Sequence, residues 1–370
     1  MSARFLTVVL ERAFNMRDGF GREIDYMRIS VIDSCNLNCY YCNPCDNNEH
    51  CHALNILSVK EVLCIVRAAT RLGIKHFRLT GGEPLLHPQL DEMVLQIKKI
   101  PGVSSVSLTT NAVLLVQHAK WLKEAGIDSI NVSLDTIDAS EYERITKKTL
   151  LEEVKNGINA AIECGIRVKI NVVLTPQTDV VALTRYVAKK GTDIRFIEMM
   201  PVGEGHTNGV EPYKKVIGTL SKLYGEPCRI NTEKTKEINS GNDKRKIPDN
   251  GPAEYYIFPE LGIRVGLIQA IHGKFCDTCN RIRVTADGRL MPCLGSSVTM
   301  DLVPDSWDFA DDVEKDFAIV RALRAAIKAK PRCHNFNDNA VTYTKTTETK
   351  TTEIEAAEVN AARNMSRIGG

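Results

Sequence analysis

Two groups of three cysteines stand far apart in the sequence, and their spacing indicates metal chemistry. The groups are Cys35-x3-Cys39-x2-Cys42 and Cys276-x2-Cys279-x13-Cys293. A cubane iron–sulfur cluster takes one cysteine per iron, so three cysteines leave one iron with an open coordination position. An open position on a metal is where substrate chemistry happens, whereas a closed site is usually structural. The sequence therefore predicts two 4Fe–4S clusters, each able to hold a small molecule.

Other interpretations of the cysteines stay open at this point. They are scattered buried thiols, a disulfide framework, or a zinc site. The apolar stretch at residues 5–10 is too short for the core of a signal peptide, so we expect reduced thiols and a cytoplasmic protein. Structural zinc wants a fourth ligand at regular spacing, and His50, His52 and His272 lie near enough to the arrays to keep zinc in consideration.

The composition is that of a soluble globular protein. The chain has 370 residues, of which 43% are hydrophobic and 25% charged, and its net charge is +2. So small a charge gives no basic field over the whole molecule, and we expect no bulk affinity for nucleic acid or for an anionic membrane. The sequence has no uncharged apolar run long enough to span a bilayer.

Short β-branched segments alternate with longer amphipathic segments from residue 24 to about residue 200. We predict strands at residues 26–32, 76–80, 104–109, 129–134, 168–173 and 194–198. A helix is predicted over residues 58–72, where Ser58 and Glu61 match a capping box. Left-handed glycines are expected after three helices, at Gly73, Gly126 and Gly165. Six βα units in series predict an α/β fold, a parallel sheet that forms a partial (β/α)6 TIM-like barrel.

Polar motifs fall at the ends of these predicted strands. The first cysteine array follows strand one, Gly81-Gly82-Glu83-Pro84 follows strand two, and Thr109-Thr110-Asn111 ends strand three. The later strands contribute Ser133 and Asp135, Lys169 and Asn171, and Glu198-Met199-Met200. In parallel βα architectures the C-terminal strand ends form the active-site face, so this convergence predicts an enzyme.

The pattern changes after Met200. Residues 201–251 are rich in Gly, Pro and charge, residues 253–293 read as short strands that carry the second array, and a helix is predicted over residues 313–328. Residues 342–352 alternate Thr, Lys and Glu, which is typical of an extended segment without its own core. We therefore predict a barrel core over residues 1–200, an extension over residues 201–340, and a Thr-rich tail over residues 341–370 that ends in Gly369-Gly370.

The first array, with Tyr41 beside its last cysteine, resembles the signature of the radical S-adenosylmethionine (SAM) superfamily. Gly81-Gly82-Glu83-Pro84 after strand two also resembles a superfamily element, whose glycines let backbone groups approach the methionine amino group closely. The resemblance implies that SAM binds the open iron. A reduced cluster then releases a 5′-deoxyadenosyl radical, which abstracts hydrogen from the substrate.

The second array narrows the resemblance to the GTP 3′,8-cyclase family of molybdenum cofactor biosynthesis. The likeness runs from about residue 18 to the C-terminus. The motifs that carry it are Phe20-Gly21-Arg22-x5-Arg28-Ile29-Ser30, Arg78-Leu79-Thr80-Gly81-Gly82-Glu83-Pro84, Asn131-Val132-Ser133-Leu134-Asp135, Arg195-Phe196-Ile197-Glu198, Gly251-Pro252-Ala253, the second array followed by Asn280-Arg281-Ile282-Arg283, and Gly369-Gly370. The resemblance implies a lyase that converts GTP to 3′,8-cyclo-7,8-dihydro-GTP, with GTP-binding elements in the C-terminal extension.

The positions of several cations favour an anionic substrate independently. Five of them map to the mouth of the predicted barrel or to the second array: Arg28, Arg78, Lys169, Arg281 and Arg283. Several cations in one partly buried cavity cost folding free energy unless an anion compensates their charge. Arginine can donate two hydrogen bonds to the oxygens of one phosphate group. Ordinary ion pairs with Asp or Glu remain the alternative for any single residue. A triphosphate would supply the missing negative charge.

Matched residue by residue, the resemblance implies a full site. Cys35, Cys39 and Cys42 hold the first cluster, and Cys276, Cys279 and Cys293 hold the second. The SAM site comprises Tyr41, Gly82, Ser133 and Met200, although a methionine at a strand end is often only packing. The GTP site comprises Arg28, Arg78, Thr109, Lys169, Arg281 and Arg283. Catalytic roles fall to Arg281, Arg283, Gly369 and Gly370.

The resemblance also implies partners. We expect GTP as substrate, a flavodoxin or ferredoxin-like reductant, and the next pathway enzyme as receiver of the product; a homodimer stays open. In the chain there are three departures from the family pattern. His76 stands where the family has a lysine, so we expect a weaker anion contact there unless the imidazole is protonated. Ala112 stands where the family has a glycine, so we expect the turn after strand three to differ. The segment Asn43-Pro44-Cys45, with His50 and Cys51 after it, is also unusual.

Two rival functions remain on the sequence alone. A radical SAM peptide-modifying enzyme with an auxiliary cluster would leave Arg281-x-Arg283 and the terminal Gly-Gly unexplained. An iron–sulfur electron carrier or a zinc-binding interaction module is the rival from another class. An electron carrier needs closed four-cysteine clusters and no pocket for a small molecule, and Gly81-Gly82-Glu83-Pro84 counts against it.

Overall fold

A computed structural model describes residues 16–42, 55–202, 210–230, 251–296, 298–302, 312–334 and 336 of the chain. Several sequence-based predictions lie outside the described residues. They concern residues 5–10, Asn43-Pro44-Cys45, His50, Cys51, His52, the Thr-rich tail and Gly369-Gly370.

The described strands form one twelve-stranded sheet. Their bounds are β1 (Tyr26–Ser30), β2 (His76–Thr80), β3 (Ser105–Thr110), β4 (Ser129–Ser133), β5 (Val168–Val173), β6 (Asp193–Ile197), β7 (Cys228–Ile230), β8 (Glu254–Ile257), β9 (Arg264–Ile268), β10 (Arg281–Val284), β11 (Arg289–Met291) and β12 (Met300–Asp301). The order across the sheet is β12-β11-β10-β1-β2-β3-β4-β5-β6-β9-β8-β7. The six strands predicted from sequence are confirmed, with bounds that shift by two residues or fewer.

The helices of the described chain follow the strands as βα units require. Their bounds are α1 (Val59–Arg71), α2 (Leu90–Lys98), α3 (Leu115–Glu124), α4 (Ala139–Thr146), α5 (Leu151–Glu163), α6 (Val180–Lys189), α7 (Gly218–Tyr224) and α8 (Asp312–Lys328). Short turns of helix occur at Pro84–Leu86, Tyr213–Ile217 and Cys276–Thr278. The capping box predicted at the start of α1 is confirmed, since Ser58 Oγ accepts from the Glu61 N–H and Glu61 accepts from the Ser58 N–H.

Side chains alternate along the parallel strands, and the two faces of the sheet differ sharply. In β1 Met27 and Ile29 are fully buried, and in β2 Phe77 and Leu79 are as well. These residues belong to one core that joins the sheet to the helices packed on its outer face. Because strand side chains point alternately to opposite faces, Arg28 and Arg78 lie on the inner face. Burial of the apolar face against the helices stabilises the fold, and the polar inner face is therefore available to bind a ligand.

The C-terminal extension adds strands to both edges of the predicted barrel. Strand β9 pairs in parallel with β6, and β10 pairs in parallel with β1. The parallel part of the sheet therefore has eight strands rather than the six predicted. Arg281 of β10 is close enough to Arg195 of β6 for their charges to interact across the sheet, so the strands curve around a common interior. The predicted α/β partial barrel is confirmed.

Helix α8 packs on the outer side of the sheet, next to α1. It packs on α1, where Arg71 Nη2 lies 2.7 Å from Asp316 Oδ2. The prediction of a helix over residues 313–328 is therefore correct to within one residue. The segment that leaves α8 passes directly along the second cysteine array, and this contact is treated below.

The turn after β3 holds an alanine in a backbone conformation that favours glycine. Ala112, which replaces the family's glycine, is fully buried and has φ 68°, in the left-handed region. Its N–H donates to Thr110 Oγ1 at 3.0 Å, and its carbonyl accepts from the Leu115 N–H at 3.1 Å. An L-residue in this region costs about 1–2 kcal/mol. The turn therefore holds Ala112 at a cost in backbone strain.

We expect Ala112→Gly to leave the free energy of unfolding unchanged or to raise it by up to about 1 kcal/mol, because relief of the strain exceeds or equals the loss of one buried methyl group. Chemical denaturation measures the change. The matched control is Ala119→Gly, a buried site inside α3 with helical φ, which should lose about 1–2 kcal/mol. Equal losses at the two sites would contradict the strain argument.

Candidate functional site

One cavity of about 740 Å³ opens on the inner face of the curved sheet. All of the predicted site residues that the structure describes line it: Cys35, Cys39, Cys42, Cys276, Cys279, Cys293, Tyr41, Gly82, Ser133, Met200, Arg28, Arg78, Thr109, Lys169, Arg281 and Arg283. The two cysteine arrays, more than 230 positions apart in the chain, therefore face one space. Gly369 and Gly370 lie outside the described residues.

The first array sits on a loop that is held by backbone hydrogen bonds. The Asn38 and Tyr40 N–H groups donate to the Thr146 and Ile145 carbonyls at 3.0 and 3.1 Å, which ties the loop to the end of α4. The Cys42 N–H donates to the Cys39 carbonyl at 2.9 Å. These contacts fix the loop before any metal binds.

Gly82 is required by close packing against this loop. Its N–H donates to the Ile32 carbonyl at 2.7 Å, and a Cβ at this position would lie 2.2 Å from the Ser34 carbonyl oxygen. No side chain fits at that distance. Gly82 thus presses the turn after β2 against the residues that lead into the first array.

The thiols of the first array suit an iron–sulfur cluster. Burial raises the pKa of Cys35 to about 11 and that of Cys42 to about 12, and it raises the pKa of Cys39 well above its ordinary value; nearby acidic groups and thiols add to the effect. Neutral thiols gathered in a buried loop become thiolates when a metal binds, because the metal supplies the compensating charge.

The second array flanks the strand that carries Arg281 and Arg283: Cys276 and Cys279 directly precede β10, and Cys293 follows β11. Its backbone is anchored by Arg22, a buried residue near the start of β1. Arg22 Nη1 donates to the Cys276 carbonyl at 2.7 Å and to the Arg332 carbonyl at 2.9 Å, while its Nε pairs with Asp18 Oδ2 at 2.6 Å. All three array cysteines are free thiols at the cavity wall.

The arrangement of thiols differs from that of a site for one ion. Within the described ranges, no group of three His, Cys, Asp or Glu side chains is arranged to hold a single metal ion. A cubane cluster distributes its cysteines over several iron atoms, one for each. Three thiols at the cavity wall meet that requirement in each array. Those of the first array lie on one loop, whereas those of the second lie before β10 and just after β11.

Three arginines form a row across neighbouring strands between the two arrays. Arg28 of β1 is in register with Arg283 of β10 on one side and with Arg78 of β2 on the other. Adjacent strands lie about 4.8 Å apart, so the row spans about 10 Å. The inner face of the sheet therefore presents a line of positive charge along the cavity wall.

The potential in this region is strongly positive. Burial alone would raise the pKa of Tyr26, yet the charges of Arg78, Arg28 and Arg281 and a hydrogen bond from Arg78 lower it to about 8. Burial, followed by the charge of Arg281, lowers the pKa of Arg283 to about 10. Burial and neighbouring arginines also depress the pKa of Arg28. A bound polyanion would relieve this crowding of cations.

The aromatic and polar neighbours hold the cations in place. The Arg281 guanidinium lies 5.7 Å from the Tyr26 ring centre and 5.9 Å from the Phe275 ring centre. Arg78 Nε donates to Tyr26 Oη, and its Nη1 lies 3.3 Å from Thr109 Oγ1. Lys169 Nζ lies 5.9 Å from the Tyr255 ring centre. Cation–π contacts of this kind orient the charged groups without neutralising them.

Arg195 is a cavity residue to which the sequence analysis gave no role. It is 4% exposed, and its Nε donates to Asn171 Oδ1 at 2.9 Å. Its Nη2 is buried and has no hydrogen-bond partner among the described residues. Gly266, its partner in register on β9, leaves room for it, since a Cβ there would lie 2.8 Å from Arg195 Cγ. The sequence carried a signal for this direction: Arg195 is next to the apolar Phe196 in β6, and successive side chains of a strand point to opposite faces of the sheet.

His76 also lines the cavity, where the family pattern has a lysine. Its Nδ1 lies 2.8 Å from Ser105 Oγ, and its Nε2 lies 3.9 Å from Asp25 Oδ2. Burial lowers the pKa of His76 below its ordinary value, although Asp25 opposes the shift. Burial therefore favours the neutral imidazole, and this position adds less positive charge to the cavity than a lysine would.

A buried tyrosine and a buried aspartate form a hydrogen-bonded pair beside the first array. Tyr41 Oη donates to Asp135 Oδ2 at 2.5 Å, and Asp135 Oδ1 accepts from the Val173 N–H at 2.8 Å. Burial raises the pKa of Asp135 to about 6. Glu83 is fully buried nearby and accepts from Thr110 Oγ1 and the Asn111 N–H at 2.7 Å. The Glu83 contacts join the turns after β2 and β3, and the Asp135 contacts join the turn after β4 to the first array and to β5.

Comparison with known proteins agrees with this geometry. The family model of the radical SAM superfamily matches residues 29–182, and the model described as Molybdenum Cofactor Synthesis C matches residues 192–336. A GTP 3′,8-cyclase of Clostridium perfringens (strain SM101 / Type A) is 35% identical over 324 residues, which are 87% of this chain and 95% of that protein. A GTP 3′,8-cyclase of Peptoclostridium acidaminophilum is 37% identical over 328 residues, 87% of this chain and 94% of that protein.

The chain belongs to the GTP 3′,8-cyclase family.

This membership confirms the resemblance seen in the sequence and makes the protein a radical SAM enzyme. SAM and an iron–sulfur cluster are therefore its cofactors. Family membership also accounts for two features of the cavity, the cysteine loop after β1 and the C-terminal strands that complete the sheet.

Solved structures support the fold. Streptococcus suis SuiB bound to S-adenosylmethionine aligns with a TM-score of 0.54 at 14% identity, over 82% of this chain and 68% of that chain. At this identity the likeness concerns the fold alone. Among the helices that the structure describes, none has the length and apolar character of a membrane span.

Proposed function

We propose that this protein is a GTP 3′,8-cyclase, a lyase that converts GTP to 3′,8-cyclo-7,8-dihydro-GTP as the first step of molybdenum cofactor biosynthesis. The observation that carries the proposal is the row of Arg283, Arg28 and Arg78, which lies between two three-cysteine arrays on the wall of one cavity. A row of arginines alone fits many anions. Its place between two sets of cluster ligands favours a nucleoside triphosphate whose base and ribose meet the metal sites.

Two 4Fe–4S clusters are part of the proposal. Cys35, Cys39 and Cys42 would hold the first, and Cys276, Cys279 and Cys293 would hold the second. When bound, the first cluster with SAM supplies the radical that abstracts hydrogen from the ribose, and the second holds the guanine base. Tyr41, Gly82, Ser133 and Met200 would line the SAM site, as family membership suggests and their position at the cavity wall supports.

The residues of the GTP site would each have a separate task. Arg28, Arg78 and Arg283 form the row that would grip the triphosphate, with charge-assisted hydrogen bonds that are strongest when bidentate. Lys169 and Arg195 would reach it from the opposite side of the curved sheet, and Thr109 supports Arg78. Arg281, set against two aromatic rings, would lie between the phosphates and the second cluster.

The proposal also includes the predictions for the C-terminal glycines, the protein partners, the cellular location and the domain bounds. Gly369 and Gly370 would enter the cavity and assist Arg281 and Arg283 in catalysis. A flavodoxin or ferredoxin-like protein would supply electrons, and the next pathway enzyme would receive the product; assembly as a homodimer is a further element. The chain would act in the cytoplasm, with a barrel core over residues 1–200, an extension over residues 201–340 and a tail over residues 341–370.

The first experiment is an anaerobic assay of the reconstituted protein with SAM, dithionite and GTP, in which 5′-deoxyadenosine and a pterin-forming product are quantified. Both products are expected, in about equal amounts. Deoxyadenosine without the pterin precursor would keep the radical chemistry and transfer the proposal to another substrate, such as a peptide. Neither product from protein that carries both clusters would refute the proposed activity.

A further inference from the structure

The segment that follows α8 carries a buried lysine against the second array. Lys330 is 3% exposed and lines the cavity. Its Nζ donates to the Arg281 carbonyl at 2.8 Å and to the Pro292 carbonyl at 2.9 Å. Arg281 lies two residues after Cys279, and Pro292 directly precedes Cys293. One ammonium group therefore joins the two stretches of chain that carry the last two array cysteines.

The third group beside this ammonium is the Cys279 sulfur, to which the Lys330 side chain donates a hydrogen bond. An ammonium has three donors and no acceptor. Two carbonyl oxygens and one sulfur account for all three donors, which explains how a cation is tolerated at a buried position.

The backbone around Lys330 is fixed independently of that side chain. Arg22 donates to the Pro331 carbonyl at 2.6 Å and to the Arg332 carbonyl at 2.9 Å, and the same guanidinium reaches the Cys276 carbonyl. His334 Nε2 lies 2.7 Å from the Ala270 carbonyl oxygen. The lysine therefore approaches the array from a rigid support, and its distance from Cys279 is set by the fold.

We propose that Lys330 is a positioning residue of the second cluster: it holds the two ligand-bearing stretches together and donates a hydrogen bond to the Cys279 sulfur, which raises the reduction potential of that cluster. The inference rests on the second cluster of the proposed function. One-electron reduction makes the cluster and its three thiolates more negative by one charge. A buried cation bonded to a ligand sulfur stabilises that reduced form more than the oxidised form.

The test uses the full chain with Cys35→Ala, Cys39→Ala and Cys42→Ala, so that only the second array binds iron. Two variants, Lys330→Gln and Lys330→Met, each remove the charge, and glutamine keeps an amide donor. The matched control is Lys328→Met, which removes the same charge from an exposed position two residues earlier. Iron content, circular dichroism and an anaerobic redox titration followed by electron paramagnetic resonance are measured for each protein.

We expect both Lys330 variants to have a lower midpoint potential than the parent and the control. At a fixed potential the ratio of reduced to oxidised cluster should fall at least tenfold, which is about 59 mV for a one-electron couple. A folded Lys330 variant that loses iron while Lys328→Met keeps it would also support the inference. It would show that Lys330 holds the two cysteine-bearing stretches in position to bind the cluster.

Other outcomes would overturn the inference. Either Lys330 variant with full iron content and the parent potential would show that the ammonium does not tune the cluster. Unfolding of both variants would make Lys330 a residue of the core rather than of the cluster. Absence of iron from the parent chain would instead refute the proposed second cluster, before any variant is compared.

Discussion

Replacing Cys276 with alanine is expected to lower the formation of cyclised product by more than about 100-fold while the first cluster keeps its iron. Changes to groups that only support a metal ligand cost about 10–100-fold in affinity or activity, and loss of a ligand itself should cost more. Cys276 belongs to the far end of the cavity, where Arg22 anchors its carbonyl. The backbone contacts of the first array involve α4 and do not include this residue.

The measurement for Cys276→Ala combines iron content, the spectrum of the first cluster, and product formed per deoxyadenosine. The control is Cys164→Ala, which removes a thiol at the end of α5 that does not line the cavity. It should keep parental iron and activity. Full cyclase activity in Cys276→Ala would refute the second cluster, and loss of all iron would show that the two sites do not assemble independently.

Replacing Arg283 with methionine is expected to weaken GTP binding by about 10–100-fold, because a charge-assisted hydrogen bond is worth about 1.5–3 kcal/mol. The same change should not lower the stability of the GTP-free protein. Burial and then the charge of Arg281 lower the pKa of Arg283 to about 10, so the fold disfavours its charged form. Removing that charge relieves repulsion within the row at neutral pH, and the melting temperature should remain equal or rise.

Calorimetry of GTP binding and thermal unfolding without GTP measure the two effects of Arg283→Met. The matched control is Arg289→Met on β11, which removes an arginine that pairs with Asp301 at 3.3 Å and does not line the cavity. It should leave GTP affinity unchanged. Weaker binding joined to a fall in stability larger than that of the control would indicate that Arg283 is a structural residue, and unchanged binding would remove it from the GTP site.

Much of this site could be predicted from sequence because its signals are local. The spacing of Cys35, Cys39 and Cys42 specifies ligands on one loop. Ser58 and Glu61 mark the start of α1, and β-branched runs mark six strands to within two residues. Each of these signals depends on residues close together in the sequence. Over so short a distance, the regular geometry of a helix or strand fixes the direction in which each side chain points. The inward direction of Arg28 and Arg78 follows from the same alternation.

The expectation that His76 weakens an anion contact unless its imidazole is protonated needed the structure for its answer. Only the structure places Asp25 beside His76, and there burial outweighs this carboxylate and lowers the pKa of the imidazole. Ala112 also needed the structure. Its departure from glycine led us to expect a different turn after β3, and the structure gives this alanine a left-handed φ of 68°, a conformation that favours glycine.

The sequence by itself determined which residues can do chemistry in this protein: two three-cysteine arrays proposed to bind clusters, the glycine turn, and the cations that follow the second array. Only the tertiary structure decided that both arrays face one cavity, that β10 pairs with β1 so that Arg283, Arg28 and Arg78 form a row, and that Lys330 reaches Cys279. The reason is physical. Pairing of distant strands and approach of a buried ammonium depend on how the whole apolar face is buried, and no local periodicity encodes such contacts.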